Sequence, residues 1–261
     1  MTTLALIAKE SGFARKTLVR DRQNLFFTVG LPLLYLFIFA SIFGDETGEI
    51  AGQPGELAVA TIMTASVVVI GVASAAFQNL TVSLIQDREN GVLKRLRSTP
   101  VPTWVFLGGL LLNALVASVL LALAVAVLGF TVYGVPFTGQ RTLAAVVTVL
   151  VGSIALTCAA FPFTRLVKTA NAASPMAVAV TLTLFFLSGN FFPGADMPDA
   201  MEFIANLFPI RHFFTAMLTA FNPNVDGYGF EWGHLGVLAL WGIGGAVLGA
   251  RFFRWTPTQE S

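Results

Sequence analysis

QDRENGVLKRLRSTPVP, residues Gln86 to Pro102, lies between two long apolar runs. It carries six charges within eleven residues, Asp87 to Arg97, in a chain where 11% of residues are charged. Stepped at 100° per residue as one helix, the stretch puts Ile85, Val92, Leu93 and Leu96 on one side. Arg88 and Arg95 then flank that stripe on one edge and Arg97 on the other, while Asp87 and Lys94 point away. Glu89 projects from the middle of the stripe. Gly91 permits a tight bend. Thr99-Pro100 ends the segment, because proline disfavours helical geometry at the residue before it. A short amphipathic helix between two membrane spans is suited to a groove on a partner protein. A solvated basic loop would have the same composition.

The flanking runs set the class. Of 261 residues, 56% are hydrophobic and the mean hydropathy is +0.78. A soluble domain carries about 25% charged residues, more than twice the share here, so the chain reads as an integral membrane protein. A net charge of +1 gives no global field directed at nucleic acid. The single cysteine, Cys158, has no internal disulfide partner and forms no cysteine cluster for a metal. Within its apolar run it reads as a small hydrophobe.

Residues 1–24 contain an expected interfacial helix. Leu4, Ile7, Ala14 and Leu18 form a stripe at helical spacing, and Lys9, Lys16 and Arg20 occupy the opposite face. A disordered basic tail is the alternative. The segment does not read as a cleavable signal, because its residues are largely polar and no A-x-A site follows the first apolar run. Six runs are then long enough to cross ~30 Å of hydrocarbon, which takes ~20 helical residues. They are expected at 25–43, 58–83, 104–132, 142–164, 174–193 and 233–252, with Pro175 in the first turn of the fifth. The chain therefore divides into spans 1 and 2 (25–83), the charged stretch (84–103), spans 3 to 5 (104–193), an outer segment (194–232), and span 6 with the tail (233–261). It is expected to be one all-α transmembrane domain.

Thirteen of the fifteen lysines and arginines fall in the N-terminal segment, the second and fourth connections and the tail; only Arg141 and Arg211 fall in the alternate connections. The positive-inside rule then puts both termini and Gln86–Pro102 in the cytoplasm. The opposite connections are acidic, with Asp45, Glu46, Glu49 and Glu56 in the first and Asp196, Asp199, Glu202, Asp226 and Glu231 in the last. The last outer connection holds two apolar pieces, Ala200–Phe208 and Ile210–Phe221, separated by Pro209. Each is too short to span, so re-entrant or interfacial helices are expected.

No G-K-[ST] occurs, and none of the four lysines follows a glycine, so the chain has no P-loop with which to bind ATP. H-E-x-x-H and G-x-S-x-G are also missing, and no catalytic residue or metal ligand set is expected. The apolar cores of the six spans contain no Asp, Glu, Lys or Arg. Proton- and ion-coupled transporters rely on such residues at membrane depth, which counts against that class and against a membrane-embedded protease.

The stretch Glu89, Gly91, Leu93, Leu96, Thr99, Pro100 matches E-x-G-x-L-x-x-L-x-x-[ST]-P, the pattern of a cytoplasmic helix after the second span in one family. A second signature, S-G-x-F-F-P followed by P-[LI]-x-H, is matched by Ser188, Gly189, Phe191, Phe192 and Pro193, then Pro209, Ile210 and His212. On both motifs the chain resembles the permease subunits of type-2 ATP-binding-cassette exporters, the bacterial group that includes daunorubicin-type drug and lipid exporters. Lys94 stands where that family often has an acid, and Asp196-Met197-Pro198 where a more apolar stretch is common.

The resemblance implies an exporter half without its own ATPase site, in the bacterial cytoplasmic membrane. It implies a second permease, identical or paralogous, and cytoplasmic ATPase subunits that hold ATP and Mg. Glu89, Gly91, Val92, Leu93, Arg95, Leu96, Arg97, Thr99 and Pro100 would then form the coupling helix. Val92, Leu93 and Leu96 would anchor in a groove of the ATPase, with Arg95 and Arg97 at the rim. Glu89 is expected either to cap or face solvent, or to pair with a cytoplasmic arginine as a polar joint. Phe185, Phe186, Phe191 and Phe192 are candidates for the upper gate of a translocation path, with Asn190 a candidate on the same path; packing against lipid or helices would also explain the rings. Gln78, Asn79 and Asn113 either face a central path or bond between helices. His212 is expected to be a hydrogen-bonded structural histidine and His234 an interfacial residue. The uncharged span cores favour a hydrophobic or amphipathic cargo: drug, antibiotic or lipid. A polysaccharide or glycolipid exporter of the same family, and a channel or scaffold that never meets an ATPase, are the competing readings.

Overall fold

Apolar segments in hydrocarbon must satisfy their backbone internally, and this chain does so almost entirely with helices. The computed structural model describes residues 26–44, 46–50, 52–98, 102–136, 139–191 and 198–252. The expected interfacial helix at 1–24, Thr99, Pro100, Phe192 and the tail beyond residue 252 lie outside them. A π-helical turn, Phe26–Gly30, leads into α1 (Leu31–Phe43), with Pro32 in its first turn, where a missing N–H costs nothing. A two-stranded antiparallel hairpin follows, β1 (Thr47–Glu49) and β2 (Glu56–Ala58), with Thr47 opposite Ala58 and Glu49 opposite Glu56.

The second span is one rod in three parts: α2 (Val59–Ala73), a π-helical segment Ser74–Asn79, and α3 (Leu80–Glu89). The short α4 (Val92–Arg97) comes next, then α5 (Thr103–Tyr133), α6 (Gly139–Phe163), α7 (Ala170–Leu187), α8 (Asp199–Leu207), α9 (Pro209–Phe221) and α10 (Trp232–Phe252). Among the described residues, five helices are long and apolar enough to cross a membrane: the α2–α3 rod, α5, α6, α7 and α10. The first expected span, 25–43, is instead a 13-residue α-helix behind a π-helical turn. The fifth runs 170–187, starting four residues and ending six residues earlier than expected. Pro175 therefore lies in its second turn and not its first, and leaves the carbonyl of Asn171 without an i+4 donor.

The α2–α3 rod is central and the most buried of the five. It packs against α1, α5 and α9. The two short outer helices form as the sequence suggests. α9 does more than lie at the interface: Ile210, Phe213, Met217 and Leu218 are fully buried, and it packs on α2, α6, α7 and α10. Phe213 occupies the space over Gly152, where a Cβ would come within 2.7 Å of its ring. The most extensive interface joins α10 to α6. Gly242, Gly245 and Gly249, spaced three and four apart, let the two backbones approach. Ser118 of α5 and Ser153 of α6 share a buried hydrogen bond of 2.9 Å.

Polar groups close the acidic end. Asn222 is fully buried and donates to Gln53 Oε1 (3.0 Å) and the Pro54 carbonyl (3.2 Å), while its Oδ1 accepts from the Asn224 N–H (2.8 Å). Gln53 Nε2 donates to Thr219 Oγ1 (2.8 Å), and the Arg141 guanidinium donates to the carbonyls of Asn222 and Val225. Asn224 Nδ2 reaches the Glu56 carbonyl at 2.9 Å, tying the hairpin to the same cluster. Asn222→Ala strands three of these partners and is expected to destabilise the chain by about 2–4 kcal/mol. Thermal unfolding in nanodiscs against the parent checks this; an unchanged midpoint refutes it.

Candidate coupling site

α3 ends where its sequence runs out of helix. Gly91 sits at φ +72°, a left-handed conformation that glycine adopts without penalty, and its N–H bonds the Arg88 carbonyl at 3.3 Å. A separate helix, α4, starts at Val92. The reading of Gln86–Pro102 as one helix is therefore corrected: Gly91 breaks it, and the helical wheel does not carry across the break. Leu93 is 1% exposed, turned into its own chain, so it is not free to anchor in a partner. Val92 and Leu96 are half-buried, and Lys94, Arg95 and Arg97 are exposed.

Glu89 is a joint, but not to an arginine. Its Oε1 accepts from the backbone N–H of Ala170 at 2.6 Å, the first residue of α7. That N–H has no intrahelical acceptor, and the positive end of the helix dipole favours a carboxylate there. This bond helps to explain why α7 starts at Ala170, earlier than apolar content alone suggests. Arg88, which the wheel left at the edge of a stripe, is 2% exposed. Its Nη1 donates to the Thr164 carbonyl (3.0 Å), and its Nη2 to the carbonyls of Val167 (2.6 Å) and Lys168 (3.2 Å). The Thr164 carbonyl is the first beyond the end of α6, where the dipole favours a cation, and those of Val167 and Lys168 lie farther along the connection to α7. Arg165 lies 5.3 Å from the centre of the Phe252 ring, so the end of α10 joins the same basic end of the molecule.

The path candidates divide into two groups. Phe191 packs against Phe185 (ring centres 6.0 Å apart, edge-on) and Phe186 (4.9 Å). Phe185 is buried and Phe186 half exposed. Asn190, next to Phe191 in the chain, is 1% exposed; its backbone carbonyl accepts from Ser66 Oγ at 3.2 Å, and among the described residues neither side-chain polar atom has a partner. Gln78 and Asn79 lie in the π-helical segment, about 18 Å along the rod from Ser66. π-Helical insertions of this kind are frequent at functional sites. Asn113 is half-buried on α5. His212 is a hydrogen-bonded structural residue: Nε2 donates to the Asn206 carbonyl (2.8 Å), and Nδ1 shares a hydrogen bond with His234 Nδ1 at 2.7 Å. Sequence reasoning missed Arg88 as a buried ligand of carbonyls. Its one signal was position, immediately before the acid that ends a span.

A bundle of apolar helices, with a short basic helix between two of the long ones and a buried short helix packed among them, is a multi-pass membrane protein. A family model described as ABC-2 type transporter matches residues 13–222, and the chain belongs to that family. Over 133 residues it is 28% identical to the "Probable multidrug ABC transporter permease YbhR" of Escherichia coli (strain K12), covering 51% of this chain and 36% of that protein. It therefore spans about a third of that relative's length. The "Putative transport permease YvfS" of Bacillus subtilis (strain 168) is 19% identical over 208 residues, 80% of this chain and 82% of that one.

Proposed function

We propose that the chain is the membrane subunit of an ATP-driven exporter, with α4 as the element that meets ATPase subunits carried on separate chains. The observation that carries this reading is the character of α4. It is fixed to its own fold by the buried Leu93 and turns Lys94, Arg95 and Arg97 outward at the basic end. The lysine and arginine distribution puts that end, and both termini, in the cytoplasm. ATP and Mg bind the partner. Two permeases, identical or paralogous, enclose the path, and ATP binding shifts the assembly by its differential affinity for the two arrangements. The uncharged span cores, and the printed name of the multidrug relative, favour a hydrophobic or amphipathic cargo over a polysaccharide.

Charge reversal of Lys94, Arg95 and Arg97 together to glutamate tests the contact. The exposed positions tolerate it in the free chain, within about 0.5 kcal/mol for each substitution. Co-purification of the cognate ATP-binding-cassette subunit is expected to fall at least about tenfold, since like charges facing each other at an interface cost several kcal/mol. Full recovery of the ATPase with the triple variant would remove α4 as the contact. An ATPase that binds neither form would favour a channel or scaffold.

A further inference from the structure

We propose that Arg88 and Glu89 clasp the connection between α6 and α7 to the last turn of α3, so that motion of α4 is delivered to α6 and α7 as well as to its chain neighbours. This rests on the reading of α4 as the ATPase-facing helix. Two sequence-adjacent side chains of opposite charge hold one short connection, residues 164–169, and the first residue of the helix after it. Arg88 takes the carbonyls of Thr164, Val167 and Lys168, and Glu89 takes the N–H of Ala170. At Thr164, just past α6, and at Ala170, where α7 begins, each charge has the sign that its helix end prefers. Exchanging the two residues would put both charges against the wrong dipole.

A second observation is independent of these bonds. Ile85, one turn before Glu89, is fully buried with Val167 and Ala173 in a small apolar cluster separate from the main core, joined by Val82, Phe163, Ala170 and Ala172. The end of α3 and the 164–173 segment thus share their own core. This unit is bounded on both sides by breaks in regular helix. The π-helical segment Ser74–Asn79 lies above α3, and the left-handed Gly91 lies below it. Both are places where a helix changes direction at low cost. The guanidinium suits the task because its planar fork reaches several carbonyls at once, which an ammonium on a flexible stem does not. Arg88 and Glu89 are positioning residues: neither needs to touch cargo or nucleotide.

The test reads distances within one chain. The full complex, permease with its ATPase in nanodiscs, carries spin labels at Ser98→Cys, exposed at the end of α4, and Leu166→Cys (Leu166 is 68% exposed) in a Cys158→Ala background. It is diluted with unlabelled permease. With the clasp intact, the 98–166 distance is expected to be narrow and the same with and without Mg·ATP on a hydrolysis-blocked ATPase. A 98–228 reference pair, to a label at Tyr228→Cys, shifts with nucleotide. Glu89→Ala and Arg88→Met are expected to broaden the 98–166 distribution and make it nucleotide-dependent. The population outside the parental peak should rise about tenfold or more, the equilibrium change for a lost charge-assisted bond. Glu89→Gln keeps an oxygen that accepts from Ala170 and is expected to restore the parental distance. Should Arg88→Met fail to fold, the Glu89→Ala and Glu89→Gln pair still decides. A parental, nucleotide-independent 98–166 distance in Glu89→Ala overturns the clasp, as does a parent whose 98–166 distance already moves with ATP. A 98–228 pair that never responds to nucleotide would instead overturn the coupling role of α4 itself.

Discussion

Replacing Gly245 by leucine is expected to stop the chain from accumulating as a folded membrane protein. A Cβ at this position would lie 2.5 Å from both the carbonyl carbon and the oxygen of Cys158, and 2.9 Å from the Ala159 nitrogen. These are backbone atoms of α6, so no side-chain rotation relieves the clash; the helices themselves must separate. Their contact is the most extensive in the molecule, and Gly242 and Gly249 rest on the same face. Ordinary overpacking costs about 1–3 kcal/mol. A forced separation of two spans goes beyond that range, because dispersion contacts along the whole interface are lost. Gly244→Leu is the control, since a Cβ there meets nothing within 4 Å. It is expected to accumulate at least as well as the parent, because leucine favours a helix by up to about 1 kcal/mol over glycine. Size-exclusion profiles of the two variants extracted in mild detergent provide the comparison. Equal monodisperse peaks would mean that α10 does not lie against α6 as described.

The two glycines are neighbours and look alike in sequence, and that marks where sequence reading stops. Spans are legible because crossing a membrane is a property of local length and apolarity; α5 and α10 start and finish within a residue of where the apolar runs put them. The bend in the charged stretch was half legible. Gly91 reads as a place for a tight bend, yet the wheel was drawn straight through it, and the wheel's assignment of Leu93 to a partner fell with it. What α7 does at its start was not legible at all, because Ala170 begins a helix with the help of a carboxylate 81 residues away. The same holds for Arg88, whose partners are backbone carbonyls, which carry no sequence signature. The hairpin at 47–58 was missed because three-residue strands are too short to show a period. Of the path candidates, the phenylalanines beside Asn190 are in contact as a consequence of local spacing at the end of α7, whereas Gln78 and Asn113 were chosen for polarity alone.

Asn190→Leu is expected to raise the stability of the chain and lower its transport. The Asn190 side chain is enclosed just past the end of α7, and among the described residues both its oxygen and its nitrogen are without a hydrogen-bond partner. Leaving a buried amide group unsatisfied costs about 1–3 kcal/mol, whereas an apolar side chain of similar volume has no such cost. Leucine is therefore expected to raise the unfolding midpoint by a few degrees, at about 2–4 °C per kcal/mol for a chain of this size. We expect a polar group that burdens the resting chain to have its use in another arrangement. Asn190 follows α7 next to Phe191, and its own carbonyl is held by Ser66 of the central rod. If cargo or a rearranged outer end supplies the missing partners, Asn190→Leu removes that compensation, and ATP-driven efflux of a hydrophobic dye is expected to fall about tenfold. Thr157→Val separates this from a general effect, because Thr157 Oγ1 is also buried without a partner but lies deep within α6. It is expected to stabilise without loss of efflux. A stabilised Asn190→Leu that exports at the parental rate would show that the carboxamide is a packing defect, and a destabilised one would show that water fills its bonding positions in the membrane.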